Sequence, residues 1–401
     1  MTRAPGTTSL PILDVSQLDR GDAEAANFRT ALRTATHDVG FFYLVGHGIP
    51  EDVTARAFAE ATRFFALPLD DKRRVEMLRS PQFRGYTRTG GELTQGQVDW
   101  REQIDIGAER APCDDPAAPV YMRLEGPNLW PEAQPDLRAV FTDWEHRCAA
   151  VARRLLRSWA LSLGSPADVF DSAFGDRPST LIKLVRYPGR EERGQGVGAH
   201  KDPGVLTLLM IEPGKEGLQV DTSNGWVDAP ALPGAFVVNI GELMEFATDG
   251  YLKATVHRVV SPPPGQTRLS IPFFFNPALD SAMPRIDLPP ELAVDARGVS
   301  QDPGNRISGT FGDNLLKARL RAHPDVAAEH HPDPRHPGGE DRPLRACGFR
   351  RRQEVERGAV ARDDQSGGPL DAGRRTGPDG NGKSAANAPS PDKPAAATAH
   401  R

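Results

Sequence analysis

Cysteine is scarce. The chain has 401 residues and only three cysteines, Cys113, Cys148 and Cys347, far apart and without a C-x-x-C pair. A disulfide framework and a thiolate zinc site are excluded on that count, and a reducing compartment fits. No apolar run reaches the roughly 18 residues that a membrane-spanning helix needs. The first ten residues are polar and lack the apolar stretch of a secretory signal, so a cytoplasmic location is expected. An excess of one charge is also missing. Lys and Arg number 49 against 54 Asp and Glu, a formal net charge of −5. Neither nucleic acid nor an anionic membrane is an expected partner. There is no convincing G-x-S-x-G elbow or phosphate loop.

Apolar residues run out toward the end. From Asp325 to Arg401 the only Leu, Ile, Val or Phe residues are Val326, Leu344, Phe349, Val355, Val360 and Leu370, and Tyr, Trp and Met are missing altogether. Such a segment cannot bury enough surface to offset the entropy of ordering it. Residues 325–401 are therefore expected to form a disordered tail rich in Pro, Gly, Ala and Arg. Residues 1–324 are expected to form one domain.

Within it, residues 22–38, 51–66, 136–163 and 311–322 carry apolar side chains at helical spacing. Phe41–Val45 reads as a strand stopped by Gly46. From Leu181 the pattern changes to short strands: 181–187, 205–211, 218–220 with 226–227, 235–240, 254–260 and 268–275. Pro-Gly and Asn-Gly turns separate them, and Asn224-Gly225 is the strongest hairpin signal. Many short, evenly spaced strands indicate a sandwich or barrel. The expected plan is an α/β part over about 10–165, a β core over about 178–280 and a closing helix at 311–322.

Three clusters carry chemistry. His200 and Asp202 stand at i, i+2, so on a strand they share a face. His257 lies on a later strand that a barrel can bring to the same point. Two imidazoles and a carboxylate on one side of an ion leave positions open, the facial triad of non-haem Fe(II) oxygenases. Arg268 and Ser270 are again i, i+2. An inward, buried guanidinium requires an anion, and a carboxylate fits it in bidentate fashion. Each pair is weak evidence alone; the set H-x-D, His and R-x-S within a run of strands is specific.

With these residues in place, the chain resembles the 2-oxoglutarate- and Fe(II)-dependent dioxygenases, in a bacterial-type isopenicillin N synthase-like branch, over about residues 10–323. Gly40–Gly48, Arg84-Gly85-Tyr86, Asp99–Glu102, Arg186-Tyr187-Pro188, Asn239-Ile240-Gly241 and Phe273–Pro277 are similar to its signature segments. Lys201 departs from the Thr of many members, and Val185 and Gly189 depart from the plant-type N-x-Y-P-P. The resemblance implies a mainly β fold, a double-stranded β-helix (jelly-roll, cupin-like) core with an N-terminal helical region. It implies Fe(II) on His200, Asp202 and His257, and 2-oxoglutarate held by Tyr187, Arg268 and Ser270, with O₂ as second co-substrate. A small-molecule substrate would be hydroxylated or desaturated while 2-oxoglutarate yields succinate and CO₂.

Substrate contacts are sought among four residues. Lys183 shares the inward face of its strand with Val185 and Tyr187. Glu92, in a Gly-Gly-Glu loop, resembles a substrate-contacting loop of some relatives, including ethylene-forming enzymes; Arg84 and Phe275 are weaker. The rival readings are an isopenicillin N synthase-type oxidase without 2-oxoglutarate, an ethylene-forming enzyme, and a metabolite-binding barrel with a relic metal site. A monomer is expected.

Overall fold

The elements follow the apolar pattern closely. The computed structural model describes residues 10–192, 194–299 and 306–332. The N-terminal part runs β1 (Ile12–Asp14), α1 (Asp22–Asp38), β2 (Phe41–Val45), α2 (Glu51–Ala66), α3 (Leu69–Arg74), β3 (Gly85–Thr87), β4 (Leu93–Thr94), β5 (Gln97–Val98) and β6 (Glu102–Gly107). Then come α4 (Asp136–Ser162), α5 (Asp171–Phe174), β7 (Ser179–Pro188), β8 (Gln195–His200), β9 (Leu206–Ile211), β10 (Leu218–Thr222) and β11 (Gly225–Asp228). The chain continues with β12 (Phe236–Ile240), α6 (Glu242–Ala247), β13 (His257–Val260), β14 (Thr267–Asn276), α7 (Pro290–Ala293), α8 (Phe311–Ala322) and α9 (Pro324–His330).

An eight-stranded sheet in the order β1-β2-β12-β9-β14-β7-β6-β3 and a four-stranded sheet, β11-β10-β13-β8, form the jelly-roll core. Strand alternation divides the large sheet between two environments. Leu269, Ile271, Phe273 and Phe275 of β14 enter a core shared with Phe141, Trp144 and Trp159 of α4 and Phe64 of α2. Facing the other way, Val185, Tyr187 and Ile211 of the large sheet join Val197, Val220 and Val259 of the small one. Burying each such side chain contributes about 1.5–3 kcal/mol. Arg268 and Ser270 of β14 lie on this second face, alternating with Leu269 and Ile271. At the hairpin Thr222 pairs with Gly225, so Asn224 lies in a two-residue turn and Gly225, at φ 90°, opens the return strand.

Two expectations are corrected. The strand that carries His200 ends there, so Asp202 lies in the turn beyond β8 rather than on the strand. The end of the folded part at 324 is too early. Apolar content falls, but α9 still buries Val326 to 1% exposure. His330 and His331 approach the carbonyls of Leu78 and Pro81, each at 2.8 Å, and the His331 ring stacks on Phe83 at 5.1 Å. The rest of the expected tail, 333–401, lies outside the described residues.

A truncation test follows. A chain ending at Pro332 is expected to melt with the full-length protein. One ending at His323 loses Val326 and both histidine contacts, so its Tm should fall by several degrees. Equal melting of the two shortened chains would remove α9 from the fold.

Candidate active site

β13 and β8 are antiparallel neighbours, and their register places His257 directly opposite His200. The two rings lie 4.3 Å apart, centroid to centroid. Asp202 points an oxygen at both: its Oδ1 is 3.6 Å from His200 Nε2 and 3.7 Å from His257 Nε2. One ligand atom from each residue falls within 4.8 Å of the others, the spacing of a shared ion.

The tautomers are set by the backbone. His200 Nδ1 lies 2.8 Å from the Gly198 carbonyl and His257 Nδ1 lies 3.1 Å from that of Thr255. A carbonyl only accepts, so each Nδ1 carries the proton and each Nε2 lone pair is free for a metal. Burial and the neighbouring His200 push His257 down to about 4, which keeps it neutral. At Asp202 burial works the other way, but His200, His257 and Thr207 hold the carboxyl well below its usual range. These donors fit Fe(II).

Sequence reasoning did not reach the groups that aim Asp202. Thr207 Oγ1 and Asn239 Nδ2 donate to its Oδ2 at 2.5 and 2.7 Å, which leaves Oδ1 for the metal. The turn itself is clamped by α6. A Cβ on Gly241 would lie 2.3 Å from the Gly204 carbonyl oxygen and 2.7 Å from that of Asp202, so only glycine fits, and Glu242 N–H donates to Asp202 O at 2.8 Å. The signal was a polar Asn239 inside an otherwise apolar strand, ahead of Gly241. Asn239→Ala is expected to weaken metal binding about 10–100-fold with little change in Tm; metal titration checks it, and unchanged affinity would contradict it.

Arg268 is 1% exposed, and among the described residues its Nε, Nη1 and Nη2 all lack a hydrogen-bond partner. It lies over the Tyr187 ring at 5.0 Å, and β14–β7 register pairs the two residues. Burial lowers its pKa; Tyr187 and Glu212 offset this only in part. Ser270, also buried, follows on the same strand face. A guanidinium left this way costs several kcal/mol unless an anion completes it.

The four substrate candidates separate. Lys183 and Glu92 come together: Lys183 Nζ donates to both Glu92 carboxylate oxygens, at 2.9 and 3.2 Å. Neither is exposed, so the lysine does not reach the barrel rim and the glutamate is no ordinary loop acid. Phe275 does not face the site. It stacks on Phe174 at 4.9 Å in the helix-side core, because its parity is opposite to that of Arg268. Arg84 packs against Gly107, beside Leu124 and Arg110, where burial and the nearby Arg319 charge lower it to about 10.

Beyond these, a buried set of charges adjoins the site. Arg101 Nη2 contacts Glu92 and Asp99, each at 3.0 Å. Asp99 accepts from the Gly198 N–H at 3.1 Å, next to the carbonyl that orients His200. Asp105 receives Arg319 at 2.8 Å and has Lys183 at 3.6 Å.

Known proteins agree with this geometry. Residues 10–133 match the family described as non-haem dioxygenase in morphine synthesis N-terminal, and residues 179–277 match the 2OG-Fe(II) oxygenase superfamily. A 2-oxoglutarate-dependent dioxygenase of Dothideomycetidae sp. (strain 11243) is 37% identical over 79% of this chain and 90% of its own. A homoarginine-6-hydroxylase of Arabidopsis thaliana is 34% identical over 73% and 92%. Among solved structures, full-length Neurospora crassa T7H with alpha-KG bound has a TM-score of 0.62 and 28% identity over 77% of this chain and 95% of that one. The chain belongs to the 2OG-Fe(II) oxygenase superfamily and is a 2-oxoglutarate- and Fe(II)-dependent dioxygenase.

Proposed function

We propose that His200, Asp202 and His257 hold the iron, that Arg268, Ser270 and Tyr187 hold the far carboxylate of 2-oxoglutarate, and that the reaction is hydroxylation of a small polar molecule. The observation that carries this reading is Arg268, a buried guanidinium with three unpartnered nitrogens on a strand face beside a two-histidine, one-aspartate cluster. When bound, Fe(II) supplies the O₂ chemistry that couples substrate oxidation to conversion of 2-oxoglutarate into succinate and CO₂.

The protein's own task is placement. The Gly198 and Thr255 carbonyls fix the imidazoles, Thr207 and Asn239 fix the carboxylate, and the apolar inter-sheet space keeps water from the charges. Hydroxylation is favoured over desaturation because the plant relatives are named hydroxylases of homoarginine, an amino acid. Among the described residues no helix is long and apolar enough to cross a membrane. A cytoplasmic monomer, in keeping with the cysteine content, completes the proposal.

The test is stoichiometry. Succinate should form only with 2-oxoglutarate, in step with a product heavier than substrate by one oxygen atom. Substrate oxidation that proceeds at full rate without 2-oxoglutarate would move the chain to the oxidase reading.

A further inference from the structure

β8 is an edge strand. β13 pairs with one of its sides, and among the described residues no strand pairs with the other. Gly198, two residues ahead of His200, lends its carbonyl to His200 Nδ1 at 2.8 Å, and its N–H is left for a partner outside the sheet. A short hairpin supplies that partner. β4 and β5 are joined by Gln95 and Gly96, both at positive φ (51° and 76°), the two-residue turn whose twist suits paired strands. The segment that follows runs along β8: Trp100 N–H donates to Gln195 O at 3.2 Å, and the Asp99 side chain accepts the Gly198 N–H at 3.1 Å. The fit is close, since a Cβ on Gly198 would lie 2.9 Å from Thr94 Cγ2.

Asp99 is fully buried, and four donors reach its carboxylate. Oδ1 accepts from Gly198 N and from Gln195 Nε2, the latter at 3.0 Å; Oδ2 accepts from Thr94 Oγ1 at 2.7 Å and from Arg101 Nη2 at 3.0 Å. Two of these donors cannot change role: a backbone N–H and a guanidinium only donate. They sit on opposite oxygens. An asparagine would turn its NH₂ on one of them whichever way it faced, so the place calls for a carboxylate. Attachment of the hairpin alone does not require one. The hairpin is already closed by Asp99 N–H to the Glu92 carbonyl at 3.0 Å, and Trp100 already joins it to β8. What the carboxylate adds is a charge-assisted hold on Gly198.

We infer that Asp99 is a positioning residue of the metal site: it fixes Gly198, and through the Gly198 carbonyl the His200 imidazole, at the angle that lets His200 share an ion with Asp202 and His257. The inference rests on the metal reading above. It gives the β4–β5 hairpin a task, that of a strap holding the strand of the first ligand from outside. An imidazole aimed by a carbonyl follows any rotation of that backbone, and groups behind a metal ligand govern affinity by about 10–100-fold. Asp202 and His257 have their own supports, Thr207 and Asn239 for the one and the Thr255 carbonyl for the other. Asp99 stands behind the third ligand.

The experiment is calorimetric titration of Mn(II) into full-length metal-free protein, with the absorption of bound Co(II) as a second readout, of ligand geometry. Wild type should bind one ion. Asp99→Asn should bind it about tenfold more weakly and shift the Co(II) ligand-field bands. Thr94→Val takes a donor from the same carboxylate but leaves the Gly198 bond, so its Mn(II) affinity and Co(II) spectrum should match wild type whatever its Tm. Gly198→Ala drives Thr94 off β8 and should weaken Mn(II) as Asp99→Asn does; it decides the question if Asp99→Asn does not fold. Unchanged Mn(II) affinity in Asp99→Asn, or in Gly198→Ala where that variant decides, would overturn the inference and leave the metal assignment standing. A loss in Thr94→Val equal to that in Asp99→Asn would show a hairpin that serves packing alone, which overturns it too. A wild type that binds no ion, or an Asp202→Ala variant that binds it equally well, would strike at the metal assignment and take the inference with it.

Discussion

Asp202→Ala is expected to reduce 2-oxoglutarate turnover by about a thousandfold or more, at least 4 kcal/mol of barrier, and to lose stoichiometric iron. Asp202 is the only one of the three clustered residues that brings a negative charge, and its Oδ1 faces both imidazole Nε2 atoms. Without it, two neutral imidazoles hold the metal, and the donors Thr207 and Asn239 lose their shared acceptor. The fold should survive, because Asp202 sits in a turn whose backbone is held by Gly241, Glu242 and Leu243. Metal analysis and a succinate assay check the result. Full activity in the variant, with zinc held elsewhere, would refute the assignment.

Arg268→Gln is expected to raise the KM for 2-oxoglutarate much more than it lowers iron occupancy. Breaking a charge-assisted pair in a dry pocket costs about 2–5 kcal/mol, or tens- to thousands-fold in affinity. Among the described residues no hydrogen-bond partner is found for the Arg268 nitrogens, and Tyr187 and Glu212 offset its burial only in part, so the anion carries most of the interaction. The glutamine keeps a donor and most of the volume over Tyr187, so packing should change little. Steady-state kinetics over a range of 2-oxoglutarate, beside an iron assay, separates the two effects. An unchanged KM would place the carboxylate elsewhere.

The grouping of His200, Asp202 and His257 and the shared face of Arg268 and Ser270 were legible because they depend on residue types at short spacings. His200 with Asp202, and Arg268 with Ser270, are two apart, and strand alternation then placed Tyr187 and Lys183 inward. The same alternation excludes Phe275, seven positions from Arg268 and so on the opposite face of β14. The turn after His200 was not legible, because a strand end depends on what the backbone meets: here Gly241 and the start of α6.

The buried charges beside the site were hidden for another reason. Asp105 and Arg319 are 214 residues apart, and no local spacing links them. Helix α9 was missed because its hold on the fold comes from one valine and two histidines, too little apolar content to register against a polar background.

The central claim is that one site holds a metal on His200, Asp202 and His257 and a 2-oxoglutarate carboxylate on Arg268. Its most direct measurement is calorimetric titration of 2-oxoglutarate into Mn(II)-loaded wild-type, Asp202→Ala and Arg268→Gln proteins. One site is predicted in the wild type, with binding lost in Asp202→Ala along with the metal, and weakened tens-fold or more in Arg268→Gln with metal retained. Equal affinity in all three proteins would contradict the account.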